Sequence, residues 1–194
     1  MINLPNILTI FRILLTPFFI VCLFANFPYA NTIALAIFIV ASITDAYDGY
    51  YARKYDMVTP QGEFLDPLAD KILVSSAFIS FAIMGLVEYW MVVLILFRDL
   101  FVTGLRMAMK KRGFHLVTSN IAKAKTAAQI GIIIFILVIV GFKGIPIDWI
   151  NPIIYFVQEM RIIYYFTLLV TIFTVLTGIS YIYNNRSAIR KFLA

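Results

Sequence analysis

Four aspartates stand at fixed intervals between residues 45 and 70: Asp45-x-x-Asp48-Gly49-x-x-Ala52-Arg53, then eight residues, then Gly62-x-x-x-Asp66-x-x-x-Asp70. With Asp56 and Glu63 the same window holds six of the chain's ten acidic residues. Carboxylates packed this closely repel one another and protonate unless something compensates them. Divalent cations do so, and hard oxygen ligands select Mg²⁺, Mn²⁺ or Ca²⁺ over softer metals. Mg²⁺ in particular joins one or two carboxylates to the phosphates of a substrate, so four carboxylates suit two such ions. The interleaved residues fit a phosphate ligand. Gly49 and Ala52 thin the helix face beside the acids, Gly62 lets backbone approach closely at a helix start, and Arg53 offers a planar fork for phosphate oxygens. Helix-start amides near Gly62 add a second anion-binding element. Other readings of the same window are an ion-pair network locking two helices, or a cation pathway between them.

The elements that carry these aspartates are set by composition. The chain has 194 residues, of which 62% are hydrophobic and 13% charged, against about 25% charged in soluble domains; its mean hydropathy is +0.94. Residues 13–44 and 162–185 carry no charge, and 72–97 carry only Glu88. A membrane-spanning helix needs about 20 mostly apolar residues. Spans of a β-barrel would alternate apolar and polar over about ten residues, and these runs are apolar throughout. The expected fold class is therefore all-α, a polytopic integral membrane protein with about six transmembrane helices, near 7–26, 32–53, 62–84, 90–110, 120–141 and 162–183. Pro28, Pro60-Gln61-Gly62, Gly85 to Glu88, and Lys110 to Gly113 mark the turns. Segment 142–161, with Pro146, Asp148, Trp149 and Pro152, suits an interfacial loop or a short surface helix. Nothing marks a second domain, so 1–194 is expected to form one. No basic region precedes the first apolar stretch and Arg12 interrupts it, so a cleaved signal peptide is not expected.

Sidedness follows from the basic residues. Arg53, Lys54, Lys110, Lys111, Arg112, Arg186, Arg190 and Lys191 fall on one side, and Lys143 and Arg161 on the other. Positive-inside bias places both termini and the 53–62 turn in the cytoplasm, and with them the aspartates. The net charge of +6 then gathers beside an anionic lipid surface. No basic stripe exists outside these short loops, so a nucleic-acid partner is not expected. Cys22 is the only cysteine, which excludes an internal disulfide, and the single histidine, His115, sits beside a basic loop as an ordinary solvated residue.

The string D-x2-D-G-x2-A-R-x8-G-x3-D-x3-D resembles the signature of the CDP-alcohol phosphotransferase family, with every fixed position filled. That resemblance implies a six-helix, usually dimeric membrane enzyme that transfers a phosphatidyl or similar group from a CDP-linked donor to an alcohol and releases CMP. It implies that Asp45, Asp48, Asp66 and Asp70 hold two Mg²⁺ or Mn²⁺ ions, and that Asp70 is the general base for the acceptor hydroxyl. The metals would polarise the donor's β-phosphoryl group in the usual two-metal manner. Asn6, Thr9, Asp48, Gly49, Ala52, Arg53 and Gly62 would bind CDP, with Arg12 helping to close the nucleotide site.

Later residues bear on the acceptor. Arg98, Asp99 and Arg106 lie in the fourth span, and Lys123 and Lys125 open the fifth. One aspartate cannot compensate all of these cations, and a positive surplus facing a cavity suits an anionic acceptor. Leu4-Pro5-Asn6-Ile7-Leu8-Thr9-Ile10-Phe11-Arg12, Phe64 to Lys71, Arg98 with Val102 to Arg106, and Lys123-Ala124-Lys125-Thr126 are similar to the bacterial phosphatidylglycerophosphate synthase branch of the family. Ala122 departs from it where Gly is common. By this resemblance CDP-diacylglycerol is the donor, sn-glycerol 3-phosphate the acceptor, and Arg98, Arg106, Lys123 and Lys125 receive the acceptor's phosphate. The lipid donor would enter sideways from the bilayer, and the enzyme would act as a homodimer in the inner (cytoplasmic) membrane. The alternatives are the same family with inositol phosphate, phosphatidylglycerol or serine as acceptor, or a carboxylate-lined ion transporter. For individual residues, Asn6 also suits a helix N-cap, Arg12 a side chain snorkelling to headgroups, Arg98 an ion pair, and Lys123 and Lys125 positive-inside anchors.

Overall fold

The computed structural model describes residues 4–54, 60–113, 120–143 and 150–193, and the side chains within them except at 4–7, 45–54, 60–68, 70, 120–123, 143 and 193. Six long helices appear where hydropathy places the spans: α1 (Leu4–Phe24), α2 (Ala30–Lys54), α3 (Pro60–Ile83), α4 (Tyr89–Lys111), α5 (Asn120–Lys143) and, after the short α6 (Asn151–Glu159), α7 (Ile162–Asn184). A last basic helix, α8 (Arg186–Leu193), follows at once. The expected surface helix within 142–161 is α6; Pro146, Asp148 and Trp149 lie outside the described residues.

Local chemistry sets the ends. Pro60 opens α3, where its missing N–H costs nothing because the first helical amides have no intrahelical partner. α3 stops at Gly85, whose φ of +70° is the left-handed conformation that glycine adopts without a Cβ penalty. The turn is closed by Leu86 N–H donating to the Phe81 carbonyl at 2.9 Å and Gly85 N–H to Ala82 at 3.0 Å, a Schellman-type stop. Gly113, also left-handed at φ +79°, follows α4, its N–H donating to the Lys110 carbonyl at 2.9 Å.

α1 packs on both α2 and α3, α5 on α2 and α3, and α7 on α4 and α5, with α3 touching α4. Among the described residues α2 and α3 lie against α1 and α5 more than against each other. Phe19, Phe38, Phe78, Phe81, Met91, Ile95, Ile133, Ile136 and Leu137 fill the centre of this bundle, with the Phe19 and Phe38 rings 5.8 Å apart.

The outside shows the medium. α7 exposes Leu169, Ile172, Leu176 and Ile179 and buries Thr167, Thr171, Thr174 and Thr177, which inverts the pattern of a helix in water. α4 likewise exposes Val93, Leu94, Phe97, Leu100 and Phe101 while burying Asp99. Ala124–Phe142 and Ile162–Asn184 are each long and apolar enough to cross a bilayer. An apolar belt of this extent matches a protein solvated by lipid. The buried threonines meet their own hydrogen-bonding demand: Thr167 Oγ1 donates to the Ile163 carbonyl at 2.7 Å and Thr171 Oγ1 to Thr167 at 2.8 Å.

Candidate active site

The acidic motif is divided between two successive helices. Asp45, Asp48, Gly49, Ala52 and Arg53 occupy the last turns of α2, and Gly62, Asp66 and Asp70 the first turns of α3. Asp45, Asp48, Gly49 and Ala52 follow i, i+3, i+4 and i+7 spacing, and Gly62, Asp66 and Asp70 follow i, i+4 and i+8, so each set forms one helical stripe. Asp48 and Asp66 each stand six residues from the helix end bordering the turn, about 9 Å along the axis. Asp45 and Asp70 stand nine and ten residues in, about 14 Å. Along the two helix axes the four motif positions therefore pair at two distances from the helix ends, one position from each helix at each distance. The side chains of all these motif residues lie outside the described residues, as does that of Asn6.

α1 supplies a polar stripe against these helices. Thr9, Arg12 and Thr16 are all buried, at 0%, 1% and 3% exposure, and Thr16 Oγ1 donates to the Arg12 carbonyl at 3.0 Å. Arg12 is therefore inside the bundle rather than snorkelling outward. Thr9 and Arg12 sit on the helix that contacts both motif helices.

The cationic cluster is assembled from three other helices around Asp99. This carboxylate, 3% exposed, accepts hydrogen bonds from Lys125 Nζ of α5 at 2.5 Å, Arg98 Nη1 at 3.1 Å and Gln129 Nε2 of α5 at 3.2 Å. Lys125 is itself 1% exposed, so it is an internal ion pair and not an interfacial anchor. Burying such a pair is costly unless further hydrogen bonds engage it, and here two cations and an amide share one carboxylate. Lys71, one residue beyond Asp70, lies near enough to act electrostatically on both Asp99 and Lys125. Arg98, Lys125 and Lys71 around a single Asp99 make this interior electropositive among the described residues. The sequence expectation of a cationic surplus thus has a definite place, although Lys123 lies outside the described side chains.

α7 closes the cluster. Arg98 Nη2 donates to Thr177 Oγ1 at 3.2 Å, Gln129 Nε2 reaches Thr174 Oγ1 at 3.5 Å, and Thr177 Oγ1 in turn donates to the Thr174 carbonyl at 2.8 Å. Eight residues nearer the basic end, Arg106 is exposed and its guanidinium carbon stands 5.7 Å from the centre of the Tyr181 ring of α7, within cation–π range. Arg98 and Arg106 are thus brought to one helix, α7, while Lys125 meets Arg98 through Asp99. Gln129, Thr174, Thr177, Tyr181 and Lys71 are absent from the sequence-based site. A signal for the threonines existed: Thr167, Thr171, Thr174 and Thr177 recur at helical spacing in a segment without a charge.

The family model described as CDP-alcohol phosphatidyltransferase matches residues 2–177. The chain belongs to the CDP-alcohol phosphatidyltransferase family. The match takes in the acidic motif, the buried stripe of α1, the Asp99 cluster and Thr177. Among curated relatives, CDP-diacylglycerol–glycerol-3-phosphate 3-phosphatidyltransferase of Bacillus subtilis is 44% identical over 142 residues, which cover 67% of this chain and 74% of that protein. The protein of the same name from Rickettsia bellii is 37% identical over 182 residues, covering 92% and 93%. A probable phosphatidylglycerophosphate synthase of Mycobacterium tuberculosis is 43% identical over 143 residues, covering 72% and 68%. As a phosphatidyltransferase, the chain is an enzyme, and the carboxylate-lined transporter falls away as a reading of the aspartates.

Proposed function

We propose that the protein transfers the phosphatidyl group of CDP-diacylglycerol to sn-glycerol 3-phosphate, giving phosphatidylglycerol phosphate and CMP. The relatives' names support this reaction, and the observation that carries the choice of acceptor is the buried cationic cluster of Arg98 and Lys125 about Asp99. A phosphate-bearing acceptor needs a positive surplus of this kind, and serine does not.

The family is one that works with divalent metal ions. The donor set of this chain fits: four aspartates, two on each of two helices, with no soft ligand among the motif positions, suit Mg²⁺ or Mn²⁺. Asp45, Asp48, Asp66 and Asp70 would hold two ions, whose charge when bound offsets that of the diphosphate and of the departing CMP. Asp70 accepts the proton of the acceptor hydroxyl. The acceptor oxygen forms a bond to the donor's β-phosphorus while the bond to the CMP oxygen breaks, and the electron pair leaves with CMP. Arg53 and the backbone beside Gly49, Ala52 and Gly62 seat the diphosphate, and Asn6, Thr9 and Arg12 face the nucleotide from α1. Arg98, Arg106, Lys123 and Lys125 take the acceptor's phosphate.

This assignment goes with a single domain over 1–194 and a homodimer in the cytoplasmic membrane. Both termini and the site face the cytoplasm, and the donor arrives from the bilayer. The test is purified protein with CDP-diacylglycerol, Mg²⁺ or Mn²⁺, and a panel of glycerol 3-phosphate, inositol phosphate, serine and phosphatidylglycerol, scored by CMP release. Release greatest with glycerol 3-phosphate is expected; a preference for serine would overturn the acceptor assignment.

A further inference from the structure

The Arg98 side chain lies across a bare patch of α7. A Cβ built on Gly178 would stand 2.8 Å from Arg98 Cγ, 3.3 Å from Nε and 3.6 Å from Cδ. The closest of these is the stem of the side chain and not its flexible tip, so a methyl group at 178 cannot be accommodated by a small adjustment of the guanidinium. Gly178 is buried and is one residue from Thr177, whose hydroxyl accepts from Nη2. Asp99 meanwhile accepts from Nη1. Two of the five guanidinium N–H donors are thereby spent on orienting the group. The fork is locked between two helices, with Nε buried and without a partner among the described residues.

We infer that Gly178 and Thr177 of α7 are positioning residues for Arg98: they hold its guanidinium in the pose that receives the acceptor's phosphate, and so set the affinity for a phosphorylated acceptor from a helix that carries none of the acidic motif. The inference rests on the reading of Arg98 as an acceptor-phosphate ligand. Glycine is required at 178 because the arginine stem occupies the volume a Cβ would fill, not for helix flexibility: the residue lies inside α7, with six helical residues after it, where glycine otherwise costs about 1 kcal/mol relative to alanine. The threonine hydroxyl then fixes which way the planar fork faces, and a fork accepts a tetrahedral phosphate in few orientations.

The experiment is steady-state kinetics of Gly178→Ala, Thr177→Val, Thr177→Ser and Arg98→Ala in detergent or proteoliposomes, with glycerol 3-phosphate and CDP-diacylglycerol varied separately. Gly178→Ala and Thr177→Val are expected to raise the KM for glycerol 3-phosphate about tenfold, the loss of one charge-assisted hydrogen bond. The KM for CDP-diacylglycerol and kcat should stay within about twofold, and Thr177→Ser, which keeps the hydroxyl, should restore the wild-type KM. If Arg98→Ala raises that KM while Gly178→Ala and Thr177→Val leave it unchanged, the positioning role is wrong and the reading of Arg98 stands. If Arg98→Ala itself leaves it unchanged, the reading of Arg98 fails, and the positioning role with it. A parallel fall in kcat and rise in both KM values would mark a general packing defect and overturn the inference. Should Gly178→Ala not elute as a monodisperse species, the Thr177→Val and Thr177→Ser pair decides alone.

Discussion

The two polar regions of this bundle are built in opposite ways. The acidic motif comes from 26 consecutive residues on two successive helices, so its spacing is a local property of the chain. The cationic cluster draws Arg98 and Asp99 from α4, Lys125 and Gln129 from α5, and Thr174, Thr177 and Gly178 from α7, positions up to 80 residues apart that meet only on folding. On the proposed reading the repelling carboxylates would be matched by ions supplied from outside, whereas among the described residues the cations of the second region gather on one internal carboxylate, Asp99. If the proposed roles hold, the reaction is written in a contiguous motif and the choice of acceptor in contacts among separate helices.

Substitutions separate the two regions by what they disturb. The largest effect is expected at Asp70. Asp70→Asn should lower kcat by about 10²- to 10⁴-fold, the contribution of a positioned general base, with nucleotide affinity measured by calorimetry largely kept. A substantial residual rate would remove Asp70 from that role. In the second region Asp99→Ala should instead act on the fold, destabilising the protein by about 3–5 kcal/mol because Lys125 is left buried without its carboxylate; thermal unfolding in detergent reads this out. The double variant Asp99→Leu with Lys125→Met should recover much of that stability and yet keep a raised KM for the acceptor. Recovery of stability and acceptor affinity together would show that the pair is structural only.

A smaller effect is expected at Arg106, which is exposed and, among the described residues, meets the Tyr181 ring rather than a carboxylate. Arg106→Ala should raise the KM for glycerol 3-phosphate about tenfold with little change for the lipid donor, and added salt should shrink the difference. The smallest effect belongs to Arg112, outside both regions. Its guanidinium sits 4.7 Å from the Phe192 ring centre and donates to the Phe192 carbonyl at 3.3 Å, pinning α8 to the end of α4. Arg112→Ala should cost about 0.5–1 kcal/mol, read by thermal unfolding, and leave both KM values alone.

Much of the architecture is legible in the chain. Six apolar stretches became six long helices because in lipid each backbone amide must be satisfied within its own segment, which makes span placement a local matter. The short helix after the fifth span was legible for the same reason, from Pro152 and the loss of hydropathy around it. Helical spacing puts 45, 48, 49 and 52 on one stripe of α2, and that helix runs where hydropathy placed it. Lys125 was harder: its place near the start of a span reads equally as an anchor at the membrane surface, and only its 1% exposure against Asp99 removes that reading. Arg12 was ambiguous in the same way, and burial decided it. Thr174, Thr177 and Gly178 passed as ordinary residues of an apolar span, since hydropathy does not register which face a hydroxyl occupies.

By itself, then, the sequence determined the six long helices and the spacing of the acidic residues, because each depends on residues within a few turns of one another. The tertiary structure alone decided that Asp99 is shared by Arg98 and Lys125, that α7 presents threonines inward, and that Arg98 lies where Gly178 has no side chain. Those are contacts between helices whose register and rotation follow from packing, and no periodicity within one helix encodes its neighbour's.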